Sequence, residues 1–88
     1  MVINQIYPTS RFVKSYRKLP EKIRTVAKER EKIFINDPLD KILKTHKLKG
    51  RLKSYWSYSI NYQYRIMFRF VDKDTVIYYD VGTHDVYK

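Results

Sequence analysis

Two histidines, His46 and His84, are the groups in this chain best suited to moving protons near neutral pH. They stand 38 residues apart, with no cysteine and no His-x-x-x-His spacing, so they do not read as metal ligands. The lack of cysteine also removes disulfides and thiolate nucleophiles, and it fits a reducing cytoplasm. Only two glycines are present, too few for a phosphate-cradling loop. Ser57 and Ser59 carry no nucleophile motif around them. Asp72 and Asp74 flank Lys73 and read as turn formers rather than as a catalytic pair. Acid–base chemistry on a phosphodiester is what remains. RNA brings its own nucleophile, the 2′-hydroxyl. A protein that cuts it needs a base for that proton, an acid for the 5′-oxygen and cations for the charge growing on phosphorus. Two histidines and an arginine such as Arg65, whose fork matches a phosphate, supply those parts without a cofactor.

The charge distribution points to the same class of ligand. The 88 residues carry 19 Lys and Arg against 9 Asp and Glu, a net +10. Residues 41–71 hold eight of the cations and no acid: Lys41, Lys44, Lys47, Lys49, Arg51, Lys53, Arg65 and Arg69. Tyr55, Trp56, Tyr58, Tyr62 and Tyr64 lie among them. Cations interleaved with aromatic rings suit a polyanion whose bases can stack, and the other reading of the run is a solvated basic face over an aromatic core.

The elements that must hold these residues follow from periodicity. A chain of 88 residues makes one domain, 1–88. Residues 1–7 predict an edge strand, ended by Pro8, with Ser10 as the N-cap of a helix. Phe12, Val13, Tyr16 and Leu19 recur at helical spacing. Pro20 breaks that helix and opens a second, with Ile23, Val26, Ala27, Arg30, Ile33 and Phe34 on its core face. Asp37-Pro38 ends it. Residues 41–50 read as a short turn or loop. The period then becomes two over Leu52–Ile60, Tyr64–Val71 and Thr75–Val81. The expected fold class is α+β: an N-terminal edge strand, a helical hairpin and an antiparallel β-meander, with the hairpin on one face of the sheet. Alternation places Tyr64, Ile66, Phe68 and Phe70 towards the helices. It places Arg65, Met67, Arg69 and Val71 on the open face. Trp56 and Ile60 are expected in the core. No apolar run comes near the roughly 18 residues that a membrane span needs. Residues 1–10 do not have the pattern of a secretory signal.

Several segments then resemble a known family. They are His46-Lys47-Leu48-Lys49-Gly50, Tyr55-Trp56-Ser57 through Ile60, Tyr64-Arg65-Ile66-Met67-Phe68, and Gly82-Thr83-His84-Asp85-Val86-Tyr87. In this order they resemble the RelE/ParE superfamily, the toxins of type II toxin–antitoxin modules. The Tyr-Trp-Ser stretch with Arg65-Ile66 is similar to the YoeB branch. His46-x-Leu48-x-Gly50 and Gly82-Thr83-His84 are more similar to the YafQ branch. RelE itself has lysines where this chain has Ser57 and Ser59.

The resemblance implies a RelE-like microbial RNase fold. It implies an mRNA interferase, a metal-independent endoribonuclease that cuts mRNA in the ribosomal A site through a 2′,3′-cyclic phosphate and so inhibits translation. Arg65 then matches the arginine that grips the scissile phosphate, and His84 the general acid. Tyr87 matches a C-terminal aromatic that stacks on or orients the substrate, and His46 falls at the place of the general base. Lys47, Lys49, Arg51, Lys53 and Arg69 would hold RNA phosphates. The implied partners are the ribosome, mRNA and a cognate antitoxin protein, with operator DNA met only through the antitoxin. No membrane is implied, and the expected location is the cytoplasm. Two other readings share these residues. ParE-like relatives of the same fold inhibit DNA gyrase, although they generally lack the C-terminal histidine. A non-catalytic RNA- or ribosome-binding module would use the basic aromatic face alone, and a toxin that keeps only its antitoxin contact is a variant of that reading.

Overall fold

The computed structural model describes residues 2–87. Strand β1 (Gln5–Pro8) comes first, shifted towards Pro8 from the span expected, of which Met1 lies outside the described residues. Helix α1 (Ser10–Arg17) is capped by Thr9, not by Ser10. The Thr9 hydroxyl accepts from the Phe12 N–H at 3.0 Å and donates to the Tyr79 carbonyl at 2.8 Å. One side chain thus starts the helix and ties it to the last strand, which fixes the cap one residue early. Helix α2 (Glu21–Asn36) has Pro20 as its N-cap, so the proline precedes the first turn; its carbonyl accepts from Ile23 and Arg24. Asp37, held extended before Pro38, ends the helix as expected.

After a single turn at Lys41–Leu43 the chain forms β2 (His46–Lys47), a two-residue strand where a loop was expected. A second turn, Gly50–Leu52, uses Gly50 at φ 66°, a left-handed conformation that suits a residue without Cβ. That turn shortens the next strand, β3, to Trp56–Ser59. Strands β4 (Arg65–Asp72) and β5 (Thr75–Gly82) follow, and a last turn spans His84–Tyr87.

The five strands form one sheet in the order β1-β5-β4-β3-β2. Neighbouring strands run antiparallel except β1, which lies parallel to β5. The sheet is therefore mixed rather than wholly antiparallel. Two helices separate β1 from the meander, so no tight turn dictates its direction.

The helices cover the predicted face. Phe34 of α2 stacks on Tyr58 at 4.5 Å and meets Phe68 edge-on at 4.9 Å. Ile66, Phe68, Ile60 and Val76 are buried with it, and Trp56 and Phe70 pack against the same core. The opposite face is less open than the alternation implied. Met67 lies there and is 1% exposed, in a row with His46, Ser57 and Asp80 across four strands. A β-bulge leaves Tyr79 as an extra residue between the partners of Met67 and Phe68. Arg11 lies 5.0 Å over the Tyr79 ring and bonds Asp80 at 2.9 Å. In the turn at His84–Tyr87, Val86 is buried.

Candidate active site

Arg65 opens β4 and stands opposite Ser59 on β3 and Gly82 on β5. Two residues beyond Gly82 the last turn presents His84, whose Nδ1 lies 3.4 Å from Arg65 Nη1. A guanidinium only donates, so Nδ1 can only accept in this long contact. The Tyr87 ring meets His84 edge-on at 5.0 Å, and the Arg65 guanidinium carbon lies 5.6 Å from the Tyr87 centroid. The Tyr87 hydroxyl donates to Ser57 Oγ at 2.7 Å. Ser57 is buried mid-strand, so it fixes the tyrosine that in turn flanks both Arg65 and His84.

His46 stands on β2 directly across from Ser57. Its Nδ1 lies 3.0 Å from the Lys44 carbonyl oxygen. A carbonyl only accepts, so Nδ1 donates in this bond and leaves Nε2 free of it. His46 and Arg65 both line a cleft of about 630 Å³, with Arg30, Lys44, Asn61 and Tyr62 among the other walls.

The cleft is cationic. Arg30, Lys44 and Arg65 line it, and no carboxylate does. Asp80, the acid buried on this face, is bonded to Arg11 and to the Val81 N–H at 2.9 Å. The same contact, mainly the hydrogen bond and then the charge of Asp80, raises the Arg11 pKa above its ordinary value.

The structure thus brings Arg65, His84 and Tyr87 into contact and sets His46 in the cleft that Arg65 shares. Lys47, Lys49, Arg51 and Lys53 are exposed along the connection from β2 to β3 and do not line the cleft. Arg69 is exposed opposite Ile77, four residues along β4 from Arg65 and roughly 13 Å away. The interleaved aromatics do not form a stacking surface, and Trp56 and Tyr64 lie on the core side as expected. Tyr58 is 0% exposed. Tyr55 rests on Tyr79 at 5.0 Å, which leaves Tyr62, 95% exposed at the cleft, as the free ring of that group. Arg30, Lys44 and Asn61 were not singled out from sequence as site residues. The available signal for Arg30 was a guanidinium in an otherwise apolar helical row. Asn61 shapes the rim through its side-chain oxygen, which accepts from the Gln63 and Tyr64 N–H groups. Among the described residues no three His, Asp or Glu side chains cluster as metal ligands would, and no helix is long and apolar enough to cross a membrane.

Solved structures share this architecture. YafQ from E. coli superposes with a TM-score of 0.77 at 17% identity, covering 93% of this chain and 94% of that one. A YoeB/ParE toxin from Agrobacterium tumefaciens gives 0.76 at 16%, covering 92% and 99%. Archaeal RelE, in its complex with RelB from Pyrococcus horikoshii, gives 0.71 at 17%, covering 94% and 96%. At these identities the likeness speaks for the fold. In sequence, 46 residues are 39% identical to toxin YoeB of Synechocystis, covering 52% of this chain and 54% of that protein. The chain thus spans about half the length of that curated relative. A family model described as the RelE-like toxin of type II toxin–antitoxin system HigB matches residues 14–84, from the middle of α1 through the whole meander to His84. With so much of its length inside that match, the chain belongs to the RelE-like toxins of type II toxin–antitoxin systems.

Proposed function

We propose that this toxin is an endoribonuclease that cuts mRNA in the ribosomal A site by acid–base catalysis and so stops translation. The observation that carries the reading is the contact of Arg65 with His84 and Tyr87, beside the cleft that Arg65 shares with His46. His46 Nε2, with its lone pair, takes the proton of the 2′-hydroxyl. The 2′-oxygen attacks phosphorus, and the bond from phosphorus to the 5′-oxygen breaks. His84, entering the step as the imidazolium, gives its Nε2 proton to that 5′-oxygen and is left neutral, with a 2′,3′-cyclic phosphate as the product. Arg65 donates to the phosphate oxygens as charge builds on them. Tyr87, held by Ser57, orients His84 and offers its ring face to a base. Each proton that leaves one group reaches another within the step, so the chemistry closes without a cofactor. The exposed Lys47, Lys49, Arg51, Lys53 and Arg69 add phosphate contacts that raise affinity without choosing sequence.

A cognate antitoxin is the second partner. The solved YafQ of E. coli occurs in a complex with DinJ, and archaeal RelE in a complex with RelB. Operator DNA is reached through the antitoxin alone, and the toxin acts in the cytoplasm.

The test is cleavage of ribosome-programmed mRNA, with 5′ ends mapped by primer extension. Wild type should cut at the A-site codon. His46→Ala and His84→Ala should each cut about 10²–10⁴-fold more slowly while still binding ribosomes. Intact mRNA with wild-type protein overturns the reading and moves the assay to gyrase. Full cleavage by either variant removes that histidine from the mechanism.

A further inference from the structure

We propose that Arg30 binds RNA, closing with Arg65 a subsite for one backbone phosphate in the cleft beside the Arg65–His84 pair. The inference deepens the ribonuclease reading and rests on it for the identity of the ligand.

Arg30 lies in the row of α2 that faces the core, among Ile23, Val26, Ala27, Ile33 and Phe34. An apolar residue there would bury area at no polar cost. Instead Nη1 of Arg30 is buried without a hydrogen-bond partner, and so is Nε of Arg65. Among the described residues these are the two buried side-chain polar atoms left in that state. Both arginines line the same cleft, one from the helix layer and one from the sheet. A buried, unanswered guanidinium N–H is unfavourable, and an acceptor arriving between the two relieves both. The acceptor must be anionic, because Lys44 adds a further cation and no carboxylate lines the walls. Glu31, the next residue in α2, faces a different groove with Tyr16 and Tyr78, so it does not answer Arg30. Two planar forks match the tetrahedral oxygens of a phosphate. An RNA phosphate is favoured over a protein carboxylate because the cleft also contains His46 and runs directly to Arg65.

The experiment measures binding of a fluorescent single-stranded RNA oligonucleotide to the full-length chain at several salt concentrations. A His84→Ala background keeps the RNA intact. Arg30→Gln should weaken binding about tenfold or more and lower the salt slope by about 0.7, one phosphate's worth on a single strand. Arg30→Lys should keep the slope and lose part of the affinity, since a point charge replaces the fork. Lys22→Gln, an equal loss of charge at an exposed position of α2, should leave the slope unchanged. In parallel, Arg30→Met should melt no lower than wild type, because it removes the unpaired N–H groups. The inference is overturned if Arg30→Gln binds RNA as Lys22→Gln does; the cleft would then suit a carboxylate of a protein partner. It is equally overturned if Arg30→Met melts well below wild type, since Arg30 would then be part of the packing. Loss of RNA binding by Arg30→Gln in a protein that cuts no mRNA would keep the subsite and remove the ribonuclease reading. Unaltered binding in a protein that does cut would remove the subsite alone.

Discussion

Under the helices, Tyr58 and Tyr78 are 0% and 2% exposed, and their hydroxyls answer each other at 2.8 Å. On the other side of the same sheet, Arg65 keeps a buried N–H with no acceptor. Its contact with His84 is long, at 3.4 Å. The two regions share strands β3, β4 and β5 and differ in whether their polar groups are finished. In the core, polar atoms are closed upon one another, because an open one would lower stability with nothing to relieve it. At the cleft, hydrogen-bonding capacity is left over, and a stability deficit of that kind persists where a ligand removes it. The closed core around Tyr58 and Tyr78 therefore sets folding, and the cleft with its open polar groups sets chemistry.

The largest effects should separate those two roles. Phe34→Ala removes the ring that contacts Tyr58, Phe68 and Tyr78 together, and should cost about 3–5 kcal/mol in urea unfolding. Any folded fraction should still cleave with a normal turnover. His84→Ala should do the reverse: cleavage down about 10²–10⁴-fold with an unchanged melting temperature, because the side chain is exposed. A His84→Ala protein that melts far below wild type would erase the distinction between the faces.

A smaller effect lies within the core. Tyr58→Phe leaves the Tyr78 hydroxyl without its partner and should cost about 1–3 kcal/mol. It should also change the response to alkali. Burial pushes the Tyr58 pKa up against the lowering effect of its bond to Tyr78, and burial with the Tyr58 and Glu31 charges pushes the Tyr78 pKa up. In the unfolded chain both titrate near about 10. The folded state thus holds these protons more tightly. Stability is fully present below pH about 10 and falls as pH rises beyond it. Urea midpoints between pH 8 and 11.5 measure this. The decline should be steep in wild type and shallower in Tyr58→Phe, and a flat wild-type profile would mean that the pair is not shut away from water.

How much of this was legible beforehand differs between the same two faces. Period-two alternation along β4 identified Ile66, Phe68 and Phe70 as the covered side, and helical spacing identified Phe34. Those signals are local and repeat within a few residues. The grouping of Arg65, His84 and Tyr87 into one site came from resemblance, since no periodicity joins residues about 20 positions apart. Strand β2 escaped notice because two residues carry no alternation; its register against Trp56 and Ser57 exists only in the fold. Burial of Met67 on the nominally open face escaped because alternation assigns a side chain to a side of the sheet and says nothing of what covers that side. The basic aromatic run over residues 41–71 read either as one surface for a polyanion or as a basic face over an aromatic core. Alternation within β3 in fact sends Tyr58 into the core and Ser57 to the opposite face, so the run divides between the two regions.

The smallest effect belongs to the far end of β4, at the β4–β5 turn. Asp72 accepts from the Asp74 N–H at 3.1 Å and is fully exposed. Its pKa is lowered, chiefly by that backbone hydrogen bond. The folded state therefore favours the ionised carboxylate. The resulting stability is present above the ordinary value of 3.8 and is lost as pH falls through the folded pKa. Asp72→Asn should flatten the acid limb of the stability profile slightly and leave the alkaline limb, governed by Tyr58 and Tyr78, as it was. It should also leave cleavage untouched, since seven residues of extended strand place Asp72 roughly 23 Å from Arg65. A change in cleavage with Asp72→Asn would show that the hairpin tip and the cleft are coupled along β4, and that the division by face is incomplete.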